Sequence, residues 1–326
     1  MKVYVKAPAR LHLGLIDLGG ELGRIFGGLG VAINRPNVIL EVQPSQSLIV
    51  EGEKSDSVKI LVKRFLKKYH IEPKVTVNVK QTIPEHVGLG SGTQLALAVA
   101  TSLAKLFHIK ASIRDLAFAM ERGHVSGVGT AVFEKGGFVV EGGLKTQKDK
   151  LRLPAPENFP PVIFHQPFPH DWLFVIVIPN VKRGFTDEEE VPAFRRLPPM
   201  PAHDVGKICH LIMMKLLPSL VEHDLENFGN ALTQIQSIVG EYFAKAQGGK
   251  YSSPAAKECA EHMLKLGAYG VGQSSWGPAF YGLVQGEKEA KRLQLNVQNF
   301  INKRVGGEVF YAKTDNKGAY IKLIGN

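Results

Sequence analysis

The chain is poor in cysteine and tryptophan, and it has no long uninterrupted apolar run. Among its 326 residues are two cysteines, Cys209 and Cys259, and two tryptophans. The cysteines lack CxxC spacing and suitable neighbours, which argues against a disulfide framework and against a zinc site. No apolar run is long enough to cross a membrane, and no secretory leader is recognisable. We therefore expect a cytoplasmic protein with no membrane partner.

Acidic residues are also in deficit. The chain has 30 Asp and Glu against 40 Lys and Arg, which gives a formal net charge of +10. A positive excess that clusters on one surface is typical of nucleic-acid-binding proteins. Here the basic residues are spread along the chain, apart from short clusters such as Lys63-Arg64 on the polar face of a predicted helix. Because diffuse positive charge serves anionic metabolites equally well, we expect small-molecule substrates and no nucleic-acid partner.

Strand-like and helix-like spacings alternate along the whole chain, which predicts an α+β fold. The strands predicted for the first half are Lys2–Lys6, Asn37–Gln43, Lys74–Lys80, Thr130–Phe133 and Gly137–Glu141. The helices predicted there are Ser57–His70, Thr93–Phe107 and Ile113–Arg122. The strands predicted for the second half include Trp172–Pro179, Ala279–Gln285 and Glu308–Lys313, and its helices are Asp204–Leu217, Leu220–Ala246, Pro254–Leu266 and Glu287–Lys303.

A proline-dense stretch without periodicity, from Pro154 to Pro169, separates the two halves and is typical of a linker. A chain of this length more often forms two domains than one. We therefore predict a first domain over residues 1–160 and a second domain over residues 161–326.

A glycine-rich turn, Gly88 to Gly92, runs directly into an apolar helical segment. The first N–H groups of a helix have no partner inside the helix, and the helix dipole places partial positive charge there. The turn therefore predicts a site for phosphate or diphosphate, although it lacks the Gly-Lys-Ser/Thr of a P-loop and the spacing of GxGxxG. A hydroxyl at this position can also serve only as a helix cap. The candidate binding residues are Gly88, Gly90, Ser91, Gly92, Thr93 and Gln94.

The segment from Pro8 to Ile33 is dense in glycine and is predicted to be a long flexible connection after the first strand. Asp17 and Arg24 are among its few charged residues. An arginine can grip a carboxylate or a phosphate at two points, and an aspartate can bind Mg²⁺, accept a proton or stabilise a developing cation. Both residues are therefore candidate catalytic groups. The alternative is that they pair with each other or cap turns.

A third segment places Arg122 and His124 before a turn of small residues that includes Ser126 and Thr130. Arg122, Ser126 and Thr130 are candidates to complete an anion pocket, whereas a histidine in such a place is more often structural.

A fourth segment, GQSSWGP, offers the candidate substrate-binding residues Gln273, Ser274 and Ser275. The adjacent Trp276 can stack on an aromatic ligand, although a packed indole is the commoner role.

Taken together and in this order, these segments resemble the GHMP kinase superfamily. PEHVGLGSGT, from Pro84 to Thr93, matches the PxxxGLGSSA phosphate loop of that superfamily, with Gly92 in place of the second serine. PARLHLG, from Pro8 to Gly14, matches its opening motif. The resemblance implies an N-terminal domain like ribosomal protein S5 domain 2 and a C-terminal ferredoxin-like domain.

The chain departs from the kinases of that superfamily where GQSSWGP stands in place of a GAGGGG-like loop. Its forms LHLGLIDLGG, GLGSGTQLALA and GTAVFEKGGFVVEGG resemble instead a branch that joins 5-phosphoribosyl 1-diphosphate to 4-aminobenzoate or 4-hydroxybenzoate, with release of CO₂ and diphosphate. This resemblance implies an Mg²⁺-dependent step towards tetrahydromethanopterin and a homodimer, and it leaves the Mg²⁺ ligands unassigned.

For such a reaction, Arg24 is our candidate to grip the carboxylate of the arene, and Asp17 to assist the cationic centre or the para substituent. Two alternatives stay open. An ATP-dependent small-molecule kinase would use the same phosphate loop, although the altered third motif argues against it. A non-enzymatic metabolite-binding protein is the other.

Overall fold

The computed structural model describes residues 1–147, 150–151, 158–185 and 187–325. Its strands are β1 (Lys2–Asp17), β2 (Arg24–Pro44), β3 (Ile49–Gly52), β4 (Val75–Gln81), β5 (Phe138–Glu141), β6 (Leu144–Gln147), β7 (Lys150–Leu151), β8 (Val162–Gln166), β9 (Trp172–Pro179), β10 (Gly270–Gln273), β11 (Phe280–Gln285), β12 (Gly307–Ala312) and β13 (Tyr320–Ile324). Its helices are α1 (Ser55–Lys68), α2 (Ser91–Leu106), α3 (Ile113–Ala119), α4 (Val128–Lys135), α5 (Asp187–Arg196), α6 (Ala202–Leu211), α7 (Leu217–Glu222), α8 (Leu225–Gln247), α9 (Pro254–Lys265) and α10 (Gly286–Asn302), with a π-helical turn at Ile212–Leu216. Strands and helices occur together in both halves, which confirms the predicted α+β class.

The first sheet has the strand order β13-β1-β2-β4-β3. β1 and β2 form a long antiparallel hairpin, and β5 and β6 pair with the first part of β2. Helix α2 packs across both strands of the hairpin. The backbone N–H of Arg10 in β1 donates to the carbonyl oxygen of Leu89 at 3.1 Å, so the turn before α2 is tied to the sheet.

The glycine-rich segment from Pro8 to Ile33 belongs largely to this hairpin, so the prediction of a flexible connection is wrong. Its glycines make room for α4, because a Cβ on Gly30 would lie 2.2 Å from Cγ1 of Val128. A glycine contributes no side chain to an alternating pattern, so the strand periodicity of this segment is hidden in the sequence.

Helix α4 corrects a second prediction, since Thr130–Phe133 is helical and not a strand. Val128, Ala131 and Val132 are buried at helical spacing and pack against Ala32 and Val139 of the first sheet. Packing on the sheet thus outweighs the strand preference of the β-branched residues in this segment.

The second sheet has the order β10-β11-β9-β12 and is antiparallel throughout. Helices α9 and α10 pack on it around a core that includes Val175, Phe280 and Leu293. β9 has the bounds predicted for it, because its unbroken apolar run matches a strand that is buried on both faces.

The two sheets do not divide at residue 160. β8 pairs with β5, and β13 pairs with β1, so the segments at 162–166 and 320–324 both complete the first sheet. Of the predicted linker, residues 154–157 lie outside the described residues, and the remainder includes β8. Within the described ranges, no helix combines the length and the apolarity that a membrane span requires.

Candidate active site

A cavity of about 560 Å³ opens where the two halves of the fold meet. Gln236 of α8 joins the halves at this point, because its Nε2 donates to the carbonyl oxygen of Leu13 at 2.7 Å and its Oε1 accepts from the N–H of Gln273 at 3.0 Å. The predicted binding residues that line the cavity are Gly88, Gly90, Ser91, Gly92, Thr93, Arg122, Ser126, Gln273 and Ser275. Separate segments of the sequence therefore meet in one place.

The turn before α2 has the geometry of an anion site. Gly88 and Gly90 take left-handed conformations, with φ of 86° and 76°. Gly90 precedes the helix and, among the described residues, no side chain caps its first turn. The N–H groups at the start of a 16-residue helix thus face the cavity together with its positive dipole end. A Cβ on Gly90 would lie 2.8 Å from Cγ of Arg10, which leaves space only for glycine.

Ser274 holds this turn in place. Its Oγ donates to the carbonyl oxygen of Gly88 at 2.6 Å and accepts from the N–H of His12 at 2.9 Å. Nη1 of Arg10 reaches the same carbonyl oxygen at 2.7 Å. Because Ser274 is fully buried and lies behind the described cavity wall, it is placed to support the loop and not to touch a ligand.

Gln94 and Thr130 also lie behind the cavity wall, as far as the described residues form it. Both are buried, and Nε2 of Gln94 donates to the carbonyl oxygen of Gly129 at 2.8 Å. The structure therefore does not bring these two predicted binding residues to the cavity.

Asp17 and Arg24 are bound to the backbone beside the turn that connects β1 and β2. Oδ1 of Asp17 accepts from the N–H groups of Gly19 at 2.7 Å and Gly20 at 2.8 Å. Nε and Nη2 of Arg24 donate to the carbonyl oxygens of Gly142 and Gly143 at 2.6 and 2.7 Å. Neither side chain belongs to the described cavity wall, so a catalytic role for either residue stays a prediction.

A buried polar chain runs from the cavity into the first sheet. Nε2 of His12 lies 3.2 Å from Oγ of Ser126, and that hydroxyl donates to Oε1 of Glu141 at 3.2 Å. Burial, aided by the charge of Arg10, lowers the pKa of His12 to about 3. Burial raises the pKa of Glu141 to about 7 against the opposing effect of its hydrogen bonds and of Arg24. His12 is therefore neutral at neutral pH, while Glu141 is poised between its two protonation states.

Aromatic side chains form another part of the wall. Trp276 stacks on Phe243 with 4.2 Å between the ring centroids, and Phe185 and Phe194 pack against its edges. Nε1 of Trp276 donates to Oε1 of Glu190 at 3.0 Å. The indole is thus packed, as expected, and all four rings also border the cavity. The wall of the cavity thus combines the start of α2 with a cluster of aromatic rings.

Models of the GHMP kinase N-terminal and C-terminal domains match residues 56–137 and 216–303. Two archaeal proteins named beta-ribofuranosylphenol 5'-phosphate synthase are similar along their whole length. The one from Methanothermobacter thermautotrophicus is 34% identical over 98% of this chain and 99% of its own. The one from Archaeoglobus fulgidus is 35% identical over 98% of this chain and 99% of its own. The chain belongs to this synthase family within the GHMP kinases.

Solved structures agree with this assignment at the level of the fold. Homoserine kinase from Cytophaga hutchinsonii superposes with a TM-score of 0.68 at 17% identity and covers 98% of this chain and 97% of its own. Mevalonate diphosphate decarboxylase from Staphylococcus aureus superposes with a TM-score of 0.68 at 11% identity, and the match covers 99% of this chain and 98% of its own. The GHMP architecture expected from the motifs is thereby confirmed.

The resemblance to the synthase branch implies Mg²⁺, and oxygen ligands of the kind that this ion prefers are present on the cavity wall. In the described part of the chain, no three His, Cys, Asp or Glu side chains cluster as a metal site. The carboxylates that border the cavity there are Glu85, Glu121 and Glu190, and Ser91 and Thr93 offer hydroxyls beside the start of α2. Mg²⁺ is commonly held by one or two carboxylates plus substrate phosphates. The carboxylates on this wall fit the part of such a site that the protein supplies.

Several residues of the cavity wall are absent from the sequence prediction. Arg10, His12 and Gly14 line the wall from one face of β1, and their spacing of two residues is a signal for a strand. Arg64 comes from α1 and pairs with Glu121 at 3.0 Å, a contact between distant segments with no local signature.

Proposed function

We propose that this chain is a decarboxylating phosphoribosyltransferase of tetrahydromethanopterin biosynthesis. It joins 5-phosphoribosyl 1-diphosphate to 4-hydroxybenzoate or 4-aminobenzoate and releases CO₂ and diphosphate. The observation that carries the proposal is that the uncapped start of α2 and an aromatic wall face the same cavity. The name of the archaeal relatives favours the hydroxy acid, because decarboxylation after ribosyl transfer leaves a ribosylphenol.

The start of α2 receives the diphosphate in this proposal. The free N–H groups and the hydroxyls of Ser91 and Thr93 are suited to its oxygens, and Arg10 and Arg122 add positive charge to the wall. Bound Mg²⁺ would neutralise further charge on the leaving group. Groups fixed where negative charge develops lower the barrier without reorganising during the reaction.

The aromatic wall holds the arene against the ribose. Departure of diphosphate leaves positive character at ribose C1. The para hydroxyl or amino group pushes electron density to the ring carbon that bears the carboxylate, and this carbon attacks C1. Loss of CO₂ returns the bonding electrons to the ring and restores its aromaticity. The ring thus accepts these electrons itself, and positioning of the two substrates supplies much of the rate.

Arg24 and Asp17 retain the roles proposed from the sequence, the first with the arene carboxylate and the second with the cationic centre. The protein backbone binds both side chains in the structure, so these roles are the part of the mechanism that mutation has to test.

The decisive assay supplies carboxyl-labelled 4-hydroxybenzoate or 4-aminobenzoate, 5-phosphoribosyl 1-diphosphate and Mg²⁺, and measures labelled CO₂ and diphosphate. We expect both products in equal amounts, and none when the phosphoribosyl donor is omitted. A parallel reaction with ATP and homoserine or another small alcohol tests the kinase alternative. Turnover of ATP without release of CO₂ would overturn the proposal in favour of a kinase.

A homodimer in the cytoplasm is part of the same proposal. Met213, Met214 and Val221 are exposed close together in sequence, on the π-helical turn and on α7, and offer apolar surface for a second copy. Sedimentation equilibrium of the protein and of Met214→Glu measures the association. We expect a dimer that the charge weakens, and a monomer at all concentrations would contradict it.

A further inference from the structure

The buried chain of His12, Ser126 and Glu141 has no place yet in the proposed reaction. Its members come from β1, from the turn before α4 and from the end of β5. His12 and Ser126 line the cavity, whereas Glu141 is completely buried behind them. The chain therefore connects the cavity with a carboxyl group that a ligand cannot touch.

The environment of Glu141 leaves it able to hold a proton. Oε2 accepts from the N–H of Gly143 at 2.6 Å, and Oε1 accepts from the N–H of Gly127 at 3.3 Å and from Ser126. Arg24 lies near enough to favour the ionised form, yet its Nε and Nη2 donate to carbonyl oxygens. Burial dominates over these effects. A buried carboxyl group without a direct cation is a group that can exchange a proton near neutral pH.

The hydrogen bonds also give the chain a direction. The hydroxyl of Ser126 donates to Glu141, so it cannot at the same time donate to His12. Nε2 of His12 then carries the proton and donates to Oγ of Ser126. Nδ1 of His12 is left as the acceptor, and it makes no hydrogen bond within the described residues. Since His12 lines the cavity, Nδ1 is the ring nitrogen left to receive a proton from a ligand there.

We propose that His12, Ser126 and Glu141 form a proton relay for the para hydroxyl group of the arene. This inference rests on the proposed function. As the ring attacks ribose C1, three transfers occur together: the hydroxyl proton moves to Nδ1 of His12, the Nε2 proton to Ser126, and the Ser126 proton to Oε1 of Glu141. His12 therefore does not pass through its charged form, which its lowered pKa disfavours. The ring becomes a neutral dienone instead of an oxygen cation. After CO₂ leaves, the three transfers reverse and protonate the phenolate, so the relay ends unchanged.

The relay distinguishes the two arenes by their chemistry. An amino group can carry the positive charge of the intermediate while it keeps both hydrogens. A hydroxyl group must lose its proton to donate electron density to the ring as strongly. Removal of the relay should therefore lower turnover of 4-hydroxybenzoate far more than turnover of 4-aminobenzoate. A purely structural role for Glu141 would harm both alike.

The test compares Glu141→Gln with the wild type on 4-hydroxybenzoate and on 4-aminobenzoate. General base catalysis is worth about 10²–10⁴-fold, so we expect kcat with the hydroxy acid to fall by about 100-fold or more. The fall in kcat with 4-aminobenzoate should be far smaller, and the KM for 5-phosphoribosyl 1-diphosphate should be unchanged. Glu134→Gln is the matched control, because Glu134 is exposed on α4, and we expect it to keep both activities.

The pH profile provides a second measurement. Wild-type kcat with 4-hydroxybenzoate should rise towards a plateau above pH about 7, where Glu141 is ionised and can accept the proton. His12 and Arg24 lie beside Glu141, and His12 stays neutral over this range because its pKa is lowered to about 3. The rise should be missing in Glu141→Gln. Ser126→Ala interrupts the relay and keeps the Glu141 carboxyl group, although loss of the Ser126 hydrogen bond raises the pKa of that group further. This variant should show the same substrate selectivity if Glu141→Gln does not fold.

Equal losses on both arenes with an unchanged pH profile would overturn the relay while leaving the proposed function in place. A wild type that releases CO₂ from neither arene would overturn the proposed function itself and the relay with it. The two failures are thus distinguishable.

Discussion

Oγ of Ser274 donates a 2.6 Å hydrogen bond to the carbonyl oxygen of Gly88, 186 residues earlier in the chain. The same Oγ accepts from the N–H of His12 at 2.9 Å. One buried hydroxyl therefore fastens the phosphate loop and β1 to the turn between β10 and β11. This contact explains why that turn carries serine where the loop is supported, and it makes the proposed anion site depend on both halves of the fold.

Replacement of Ser274 by alanine should loosen the loop. The N–H of His12 loses its partner, while Gly88 keeps the hydrogen bond from Arg10. An unpaired buried donor costs about 1–3 kcal/mol, and we expect this loss in urea unfolding together with a raised KM for 5-phosphoribosyl 1-diphosphate. Ser102→Ala is the control, because Ser102 is equally buried and its Oγ donates to the carbonyl oxygen of Val99 within α2, away from the loop. An unchanged KM in Ser274→Ala would contradict the supporting role.

Gly90→Ala tests whether the loop depends on close approach or only on backbone conformation. The new Cβ would meet the side chain of Arg10 at 2.8 Å and would also occupy a φ of 76°. Gly248→Ala carries a similar φ of 83° with no atom within 4 Å of the new Cβ. A left-handed residue costs about 1–2 kcal/mol in both variants, and the contact with Arg10 adds to this cost in Gly90→Ala. We therefore expect a larger thermal unfolding loss in Gly90→Ala, and weaker diphosphate binding, by calorimetry, in that variant alone. Equal affinities would show that the approach of Arg10 is unimportant.

The phosphate loop could be predicted because its signal is local. Gly88 to Gly92 and the apolar run behind them specify a turn and a helix start without reference to the rest of the chain. All the residues proposed there line the cavity except Gln94, which points its amide at Gly129. Local chemistry identifies a loop, but the first helical turn decides which side chains face outward.

The polar chain of His12, Ser126 and Glu141 could not be predicted in the same way. His12 and Ser126 are separated by 114 residues, and the strand pairing that joins them runs through a hairpin whose glycines conceal its alternation. Glu141 ends an apolar strand, and only the fold shows that its carboxyl group is buried. Sites that depend on tertiary pairing are invisible to spacing within one segment.

Asp17→Asn and Arg24→Gln test the catalytic roles proposed for these residues. The introduced asparagine retains an oxygen that can accept from Gly19 and Gly20, so we expect the fold to survive while most turnover is lost. Arg24→Gln removes a charge that lowers the pKa of Glu141. The rise of kcat with pH on 4-hydroxybenzoate should therefore also move to higher pH. Circular dichroism and kcat on both arenes measure these effects. Near wild-type rates in both variants would refute the assignment.

His12 and Glu141 should make opposite contributions to the pH dependence of stability. The pKa of Glu141 is raised from 4.5 to about 7 in the folded protein, so its contribution is present at low pH and is lost as the pH rises through that interval. The pKa of His12 is lowered from 6.5 to about 3, so its contribution is present above pH 6.5 and is lost as the pH falls. Between pH 4.5 and 6.5 the two slopes largely cancel.

Single variants should reveal how each group alone changes the free energy of unfolding with pH. Relative to the wild type, Glu141→Gln leaves only the His12 effect, so its free energy of unfolding should gain about 2 kcal/mol between pH 4.5 and 6.5. His12→Asn leaves only the Glu141 effect and should lose a similar amount over the same interval. Urea unfolding at the two ends of the interval measures both changes. Parallel curves for the wild type and the two variants would mean that neither group titrates differently in the folded and unfolded protein.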